Sequence, residues 1–339
     1  MKEIRTQDAV GCIISHDITR IIPGKVKEVA FKKGHVVREE DVPELLKVGK
    51  SYLYVWENDG SLLHENDAAD VLANLVAPAG MLRSEVKEGK IELFADCDGV
   101  LRVNKELLAV LNGFDYVMVA TRHDFSPVCK GDKLAGTRII PLAIEKDKMD
   151  DVTRSVSNGS VLSILPYIHK KAAIVTTGGE VFEGLIEDGF TPVVRQKLTA
   201  FDAEEIGHVT VPDNPDMTTG AILRMAEKGA DVIFVTGGMS VDPDDRTPLA
   251  IKNTGADVVS YGAPVLPGAM FMVAYLGNKV ILGLPGCVMH SKATILDLVL
   301  PRIMAGMKVT KKDIDKFAAG GLCLGCETCV WPICGFGAQ

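Results

Sequence analysis

The chain has 339 residues, of which 47% are hydrophobic and 24% charged, and its formal net charge is -8. This composition is typical of a globular protein, and the length favours two or three domains over a single core. The acidic balance argues against general binding to nucleic acid or anionic membranes. No apolar stretch is long enough to span a bilayer and the N-terminus carries no apolar export segment, so we expect a cytoplasmic protein.

The first half of the chain predicts two small mixed modules, residues 1–62 and 63–169. The first is a small N-terminal α+β module, in which Asp41 would cap a short helix over 41–46. The second is a mixed α/β module that runs into a charged linker or exposed helix start. The predicted strands are 10–14, 26–31, 52–56, 90–95, 99–103 and 116–120, the further helices are 67–76 and 106–111, and a small β element covers 128–142.

Residues 170–310 alternate strand-like and helix-like segments, which predicts an α/β fold with a mostly parallel sheet and helices on both faces. A turn at Gly277-Asn278 between two apolar runs predicts an added antiparallel hairpin over 270–284. Residues 311–339 form a cysteine-rich tail. The predicted strands are 172–177, 206–211, 231–236 and 279–284, and the predicted helices are 180–188, 192–199, 218–228, 248–254 and 291–304.

Four loops follow strands of this domain, at the edge where open α/β sheets bind their ligands. A single glycine after a strand more often only makes a turn, but three of these loops are glycine-rich and all four share one edge. Their backbone N–H groups would suit phosphate oxygens. The loops are Thr177-Gly178-Gly179-Glu180, Val211-Pro212-Asp213-Asn214, Thr236 to Thr247 and Leu284-Pro285-Gly286-Cys287.

The third loop holds three carboxylates within four positions, Asp242, Asp244 and Asp245. Asp244 or Asp245 could cap the helix expected from Pro248, and Asp213 could make an Asx turn. The three acids cannot all cap the same helix, however. Negative charges so close together repel each other, which destabilises the loop unless a cation is bound. The cluster therefore predicts a phosphorylated ligand that is handled with a divalent metal ion.

With these motifs, residues 170–310 resemble the molybdopterin-binding domain of molybdenum-cofactor biosynthesis. That family includes molybdenum insertases of the gephyrin type and molybdopterin adenylyltransferases. Its hallmark is a Thr-Gly-Gly turn, a short spacer, an Asp and then Thr-Pro, which Thr236-Gly237-Gly238, Asp245 and Thr247-Pro248 match. The family also carries an acidic residue just after the second strand, which Asp213 matches, and a Leu-Pro-Gly turn, which Leu284-Pro285-Gly286 matches.

Details of the loops separate the branches of that family. The adenylyltransferases carry Arg where this chain has Asp244, whereas Ser240-Val241 follows the insertase pattern. The insertases continue Leu-Pro-Gly with Asn-Pro, where this chain has Cys287-Val288. Residues 1–160 resemble the extra insertase domains only loosely. The resemblance thus implies an insertase-like transferase, and it transfers no catalytic residue from the first half.

The resemblance implies binding of molybdopterin or adenylyl-molybdopterin with Mg²⁺, transfer of molybdate with release of AMP, and a homodimer. Asp245 and Asp213 are the expected catalytic residues, and Asp242 and Asp245 the expected Mg²⁺ ligands. The residues expected to contact the pterin or its phosphates are Thr177, Gly178, Gly179, Glu180, Asn214, Thr236, Gly237, Gly238, Met239, Ser240, Thr247, Pro285 and Gly286.

The tail concentrates four cysteines, Cys323, Cys326, Cys329 and Cys334. In a reducing compartment such crowding indicates metal ligands before disulfides. Four thiolates could bind Zn²⁺ in a structural knuckle, which needs nothing else, or hold an iron–sulfur cluster. The spacing resembles the bacterial ferredoxin run, with a last gap one residue longer and no following Pro. An unligated tail is the third alternative.

Two other functions fit the same residues. One is a non-catalytic molybdopterin carrier or chaperone, whose tail binds metal or docks a molybdoenzyme; the departures at Asp244 and Cys287 favour it. The other keeps only the fold and binds another nucleotide. Cys287, beside an expected helix N-terminus, is either a reactive thiol or a packed, inert one. The histidines show no metal-ligand spacing to one another.

Overall fold

The computed structural model describes residues 2–22, 26–55, 60–77, 81–157, 159–243 and 245–338. It divides into two compact units. The first comprises Met1–Asp96, Val103–Arg122 and Lys130–Ser163, and the second comprises Cys97–Arg102, His123–Cys129 and Ile164–Gln339. The sequence-based boundaries at residues 62, 169 and 310 remain a prediction.

The strands among the described residues are, in chain order, β1 Lys2–Arg5, β2 Ile18–Ile22, β3 Val26–Phe31, β4 Tyr52–Val55, β5 Leu62–His64, β6 Met81–Arg83, β7 Lys90–Ala95, β8 Gly99–Val103, β9 Val117–Thr121, β10 Pro127–Val128, β11 Lys133–Ile139, β12 Ala143–Glu145, β13 Leu162–Pro166, β14 Lys171–Thr177, β15 Glu204–Val211, β16 Val232–Thr236, β17 Asp257–Tyr261, β18 Met272–Leu276 and β19 Lys279–Leu284. The α-helices are α1 Asp41–Lys47, α2 Glu65–Val76, α3 Lys105–Asn112, α4 Lys146–Ser155, α5 Gly179–Phe182, α6 Phe190–Thr199, α7 Pro215–Glu227, α8 Thr247–Asn253, α9 Ile295–Met304 and α10 Lys311–Asp315. No helix of the described residues is long and apolar enough to cross a membrane.

The first unit is a set of small antiparallel sheets. β1 pairs with β4, β2 with β3 and β12 with β5, while β6, β7, β11 and β9 form a four-stranded sheet. The amphipathic helix α2 contacts β7 and β11, and its buried face includes Ala68, Ala69, Leu72 and Val76. A separate small core holds Ile14, Ile18, Leu45 and Leu53. These elements give the small α+β architecture that the alternating apolar runs predict.

Two local predictions in this unit are wrong. The segment 10–14 is not a strand, because Gly11 has a positive φ of 85° in a turn and only Ile13 and Ile14 form isolated bridges. Asp41 does not cap α1: Glu40 holds the N-cap position. The Asp41 carboxylate instead accepts a hydrogen bond from the Arg38 amide at 2.9 Å and lies 2.6 Å from His35 Nε2. Trp56, the last residue of the predicted strand 52–56, lies outside the described residues.

The second unit confirms the α/β fold with a mostly parallel sheet. Its six-stranded sheet has the order β15-β14-β16-β19-β18-β17. β14 pairs in parallel with β15 and β16, and β16 with β19, while β18 runs antiparallel to β19 through the predicted hairpin. The three-stranded sheet β10-β8-β13 also belongs chiefly to this unit.

Both faces of the large sheet are buried, which explains the continuous apolar runs of its strands. On one face Ile174 and Phe234 share a core with residues of α6 and α9. On the other face Val175 and Ile233 share a core with residues of α7 and α8. Side chains alternate along each strand, so neighbouring positions serve opposite cores. The helices therefore cover both faces, and the strand ends remain open to form a site.

Three details differ from the predicted elements of this domain. The helix expected over 180–188 stops at Phe182, and Gly184 follows with a positive φ of 72°. The helix expected from Ser291 begins only at Ile295, because Thr294 and Asp297 form a capping box there. The edge strand β17 pairs with β18 and was not predicted, since its five residues give too short a period-2 signal.

Candidate functional site

Loops at the carboxyl edge of the parallel strands form a cavity of about 500 Å³. The first loop follows β14, Asp213 follows β15, and the loop that begins at Thr236 follows β16. The structure thus brings together residues that lie far apart in the sequence. The lining residues predicted from the sequence are Thr177, Gly178, Glu180, Asp213, Gly237, Gly238, Asp242 and Asp245.

The first two loops are joined through Asp213. Its Oδ2 accepts a hydrogen bond from the Gly179 amide at 2.7 Å, and the Gly178 amide donates to the Val211 carbonyl at 3.3 Å. Gly178 has a φ of 145°, which L side chains rarely adopt. The Thr-Gly-Gly turn after β14 is therefore held against the end of β15 by a carboxylate rather than by packing.

The first and third loops approach each other so closely that only glycine fits. At Gly237, φ is +84° and an added Cβ would lie 2.1 Å from the Thr177 carbonyl oxygen. At Gly238, an added Cβ would lie 2.8 Å from Thr247 Oγ1. The Thr177 hydroxyl donates to the Thr236 carbonyl at 3.1 Å and lies 3.3 Å from the Thr247 hydroxyl. The Thr-Gly-Gly and Thr-Pro elements of the family motif thus form one compact unit.

The acidic segment of the third loop folds back on itself. Asp245 Oδ2 accepts from the Asp242 amide at 3.1 Å, and the Asp245 amide donates to the Asp242 carbonyl at 3.0 Å. Tyr261 lies nearby and donates to the Met239 carbonyl at 3.4 Å. Burial and the charge of Asp245 raise the pKa of Tyr261, so its hydroxyl remains protonated at neutral pH. Asp244 lies outside the described residues.

The described lining of the cavity is acidic. It contains Glu180, Glu187, Asp188, Asp213, Asp242 and Asp245, and no Lys or Arg. Phosphate oxygens entering such a site meet glycine N–H groups but also carboxylates of the same sign. A bound cation would offset that repulsion.

Several residues expected at the site have other places in the structure. The Asn214 side chain accepts from the Met217 amide at 3.0 Å and caps α7. Thr236, Met239 and Pro285 are buried, whereas Ser240 and Gly286 are exposed. The Met239 side chain packs in the core beside Gly283. None of the four residues of the fourth loop is in the described cavity lining, which includes Met289 two residues further on.

Cys287 packs as a half-buried thiol at the start of that fourth loop's helical turn. Burial raises its pKa, partly offset by a backbone hydrogen bond. A raised pKa keeps the sulfur protonated near neutral pH, and the thiolate is the nucleophilic form. This favours the packed, inert alternative over the reactive one.

Sequence reasoning missed Asp188, which supports the cavity wall at the start of α6. Asp188 Oδ1 accepts from the amides of Phe190 and Thr191 at 2.8 and 3.0 Å. Its Oδ2 accepts from the Thr176 hydroxyl at 2.9 Å, and His208 Nε2 lies 3.7 Å away. A helix predicted across 180–188 concealed this role. The available signal was the Asp-Gly pair just before an apolar helical pattern, which is a helix-start signature.

The predicted metal ligands do not converge on a single ion. In the stretches of chain that the structure describes, no group of three or more His, Cys, Asp or Glu side chains is arranged to hold a metal ion. Asp242 and Asp245 share the cavity, but without a third protein carboxylate in metal geometry. Of the tail cysteines, Cys323 and Cys334 are half-buried and Cys326 and Cys329 are exposed.

Comparison with known proteins agrees with the motifs. Residues 173–305 match the family described as a probable molybdopterin binding domain, and residues 3–57 match a domain of unknown function. The chain is 30% identical over 155 residues to a molybdopterin molybdenumtransferase of Haemophilus influenzae, which covers 43% of this chain and 38% of that protein. It is 37% identical over 87 residues to a CinA-like protein of Fervidobacterium nodosum, covering 25% of this chain and 21% of that protein.

A solved structure of the molybdopterin biosynthesis enzyme MoaB from Thermus thermophilus is similar at 23% identity and a TM-score of 0.33, covering 40% of this chain and 97% of that one. The chain spans only about a fifth to two fifths of the length of the two curated relatives, 21% and 38%. The fold and the interlocked glycine loops define an α/β domain with an acidic cavity at the carboxyl edge of its parallel strands. Residues 173–305 belong to the molybdopterin-binding domain family of molybdenum-cofactor biosynthesis.

Proposed function

We propose that this chain acts in molybdenum-cofactor assembly, binding molybdopterin or adenylyl-molybdopterin with Mg²⁺ at the carboxyl edge of the six-stranded sheet. The observation that carries the proposal is the cavity of about 500 Å³ that joins the two glycine turns to Asp213 and Asp245. Its volume is in the range of small-molecule sites. The N–H groups of Gly237 and Gly238 in the turn after β16 bind the phosphate oxygens, with Glu180 and the first loop along one side.

The residues fit a Mg²⁺ ion that is shared with the ligand. Mg²⁺ usually takes one or two carboxylates and completes its shell with waters and substrate phosphates. Asp213 and Asp245 each use Oδ2 for a backbone amide. We assign Asp245, together with either Asp213 or Asp242, as the two carboxylates that would hold the metal, with waters and ligand phosphates completing its shell. The ion offsets the acidic lining and neutralises phosphate charge.

The reaction we propose is insertase-like. The phosphoanhydride bond of adenylyl-molybdopterin is hydrolysed, AMP leaves, and molybdate is transferred to the dithiolene. The motif Thr236-Gly237-Gly238 and Asp245 hold the phosphates in place during this step. The name of the Haemophilus influenzae relative, a molybdopterin molybdenumtransferase, supports this reaction over adenylyl transfer. The proposed active species is a homodimer.

A second candidate is a molybdopterin carrier without turnover. The observation that favours it is Cys287, which stands where the insertases continue with Asn and packs as a protonated thiol. A carrier would use the same cavity and the same Mg²⁺-bridged phosphates. It would differ in releasing the pterin unchanged, for delivery to a molybdoenzyme.

Release of AMP from adenylyl-molybdopterin, measured with molybdate and Mg²⁺, separates the candidates. We expect turnover that falls by about 10²-fold in Asp245→Asn, the loss typical of removing one charge-stabilising group. The matched control is Asp257→Asn, an exposed acid on β17 that should leave the rate unchanged. Tight pterin binding without AMP release would contradict the insertase proposal and support the carrier. Binding of nucleotide but not of pterin would overturn both.

A further inference from the structure

The cysteine tail folds onto the second unit as an ordered segment. The Leu266 amide donates to the Gly321 carbonyl, and the Cys323 amide donates back to the Leu266 carbonyl, both at 2.8 Å. The Gly337 amide donates to the Gly320 carbonyl at 2.9 Å, which closes the segment into a loop. Backbone bonds therefore fix both ends of the stretch that carries the four cysteines.

All four cysteines line one cavity of about 510 Å³. Cys323 and Cys334 pack against the core of the second unit, together with Trp331. The remaining wall is largely apolar and includes Leu322 and Val330. A cavity lined by thiols and apolar side chains offers soft ligands, which suit a metal–sulfide centre.

Four thiolates can hold a single Zn²⁺ or an iron–sulfur cluster, and a cavity of about 510 Å³ has room for the larger centre. A single Zn²⁺ draws its four sulfurs to about 2.3 Å, so that they surround one ion. All four thiols line the same cavity. Thiols spread around a cavity fit the corners of a polynuclear centre. We propose that Cys323, Cys326, Cys329 and Cys334 bind a [4Fe–4S] cluster.

The spacing of the ligands fits that centre. Cys323, Cys326 and Cys329 are separated by two residues each, as in the iron–sulfur runs of bacterial ferredoxins. The fourth cysteine of a ferredoxin run ligates a second cluster, whereas Cys334 lines the same cavity as the other three and is assigned the fourth corner. Each thiol gives up its proton on ligation, so the occupied site is anionic. Lys292 lines the cavity, and its ammonium group donates to the Glu327 carbonyl at 3.2 Å. It thereby anchors the loop between two ligands and supplies a positive charge beside them.

The test is metal analysis of the full-length protein, purified anaerobically or reconstituted with iron and sulfide. We expect about four iron and four acid-labile sulfide per chain, visible charge-transfer absorption and a Mössbauer spectrum of a four-iron cluster. One zinc per chain without sulfide would overturn the proposal. So would two iron per chain, or a protein that takes up no metal.

Variants connect the cluster to these ligands. Cys326→Ser and Cys329→Ser alter exposed side chains, so we expect them to keep the fold by circular dichroism but to lose most of the bound iron. Cys12→Ser in the first unit is the matched control and should retain the full iron content. Undiminished iron in both tail variants would show that the cluster is held elsewhere and refute the assignment. Pterin binding is measured in parallel, so that failure of the cluster and failure of the proposed function are distinguished.

Discussion

Asp213 Oδ2 accepts a hydrogen bond from the Gly179 amide at 2.7 Å, so a carboxylate at the end of β15 fixes the glycine turn at the end of β14. The same carboxylate lines the cavity that we assign to the ligand. Asp213 therefore has two separable roles, one as an acceptor for the turn and one as a negative charge for a cation. Asparagine preserves the first role and removes the second.

We expect Asp213→Asn to keep the thermal stability of the protein but to weaken Mg²⁺-dependent binding of adenylyl-molybdopterin by about tenfold or more, since Mg²⁺ selects charged oxygen ligands. Asp213→Ala should additionally lose about 1 kcal/mol of stability with the hydrogen bond. Calorimetric titration with and without Mg²⁺ measures the first effect. Asp216→Asn, an exposed acid in the first turn of α7, is the control. Equal Mg²⁺ dependence in Asp213→Asn and wild type would rule out a metal role for this carboxylate.

The sequence was sufficient to predict five of the six strands of the large sheet and the loops that follow its parallel strands. The strand 279–284 has the predicted bounds, because a buried parallel strand is a continuous apolar run that ends at a glycine or proline turn. Asp213, Gly237 and Asp245 were singled out because they follow apolar strands at the positions of the family motif, and their roles toward a ligand stay predictions. Their convergence on one cavity follows from the parallel order of the strands.

What sequence reasoning missed depends on tertiary contacts. Asp188 lies in a segment with helical composition, and only the fold shows that it accepts hydrogen bonds from the Phe190 amide at the start of α6 and from the Thr176 hydroxyl on β14. Asn214 was predicted to contact the ligand, yet its side chain caps α7. Met239 follows the glycine turn directly, yet its side chain is buried in the core. Local pattern does not reveal which of two neighbouring residues points into the protein.

Replacing Gly237 with alanine should disrupt the junction of the first and third loops. The added Cβ would meet the Thr177 carbonyl oxygen at 2.1 Å, and φ at this position is +84°. Backbone atoms cannot move aside cheaply, so we expect a loss of at least about 3 kcal/mol in the free energy of unfolding, together with loss of pterin binding. Urea denaturation of the full-length protein measures the stability.

Gly255 provides the matched control, since its φ is +78° but an added Cβ would meet nothing within 4 Å. Gly255→Ala should therefore show only the backbone strain of the left-handed region, about 1 kcal/mol. The difference between the two variants isolates the close approach of the loops. Similar losses in both would mean that the contact with Thr177 is unimportant.

Asp188 should make the stability of the second unit depend on pH in the acid range. Burial acts to raise the pKa of this carboxyl, but hydrogen bonds from Thr191, Thr176 and Phe190 outweigh it and hold the pKa below its ordinary value. A depressed folded-state pKa adds stability above the unfolded pKa of about 3.9, and this stability is lost as the pH falls through the folded pKa. Asp188→Asn should thus cost about 1–2 kcal/mol at pH 7 and progressively less below about pH 4.

Denaturant unfolding across pH 3 to about 7, the range that spans an ordinary Asp pKa, checks this expectation. Glu187→Gln changes the exposed neighbouring acid and should have little effect at any pH. If the stability lost in Asp188→Asn were the same at the lowest pH as at neutral pH, the loss would come from altered hydrogen-bond geometry and not from the missing charge.

Arg302 on α9 carries a buried guanidinium group, with a residue exposure of 2%. The group lies over the rings of Phe125 and Phe317, at 4.0 and 4.6 Å from their centroids, while its Nε and Nη1 atoms have no hydrogen-bond partner among the described residues. Burial lowers its pKa to about 10, against the charges of Asp313 and Asp124, which raise it. The aromatic contacts and those carboxylates thus offset only part of the cost of removing the charge from water.

Arg302→Met keeps the length and packing of this side chain and removes the desolvated charge, so we expect a change of less than about 1 kcal/mol in the free energy of unfolding. Arg302→Ala removes the packing as well and leaves a cavity beside Phe317, which should cost about 2–4 kcal/mol. Urea denaturation at neutral pH compares the two. An equal loss of unfolding free energy in both variants would contradict this expectation. It would show that the attraction of the guanidinium to Asp124 and Asp313 outweighs its desolvation cost, because both variants remove that attraction.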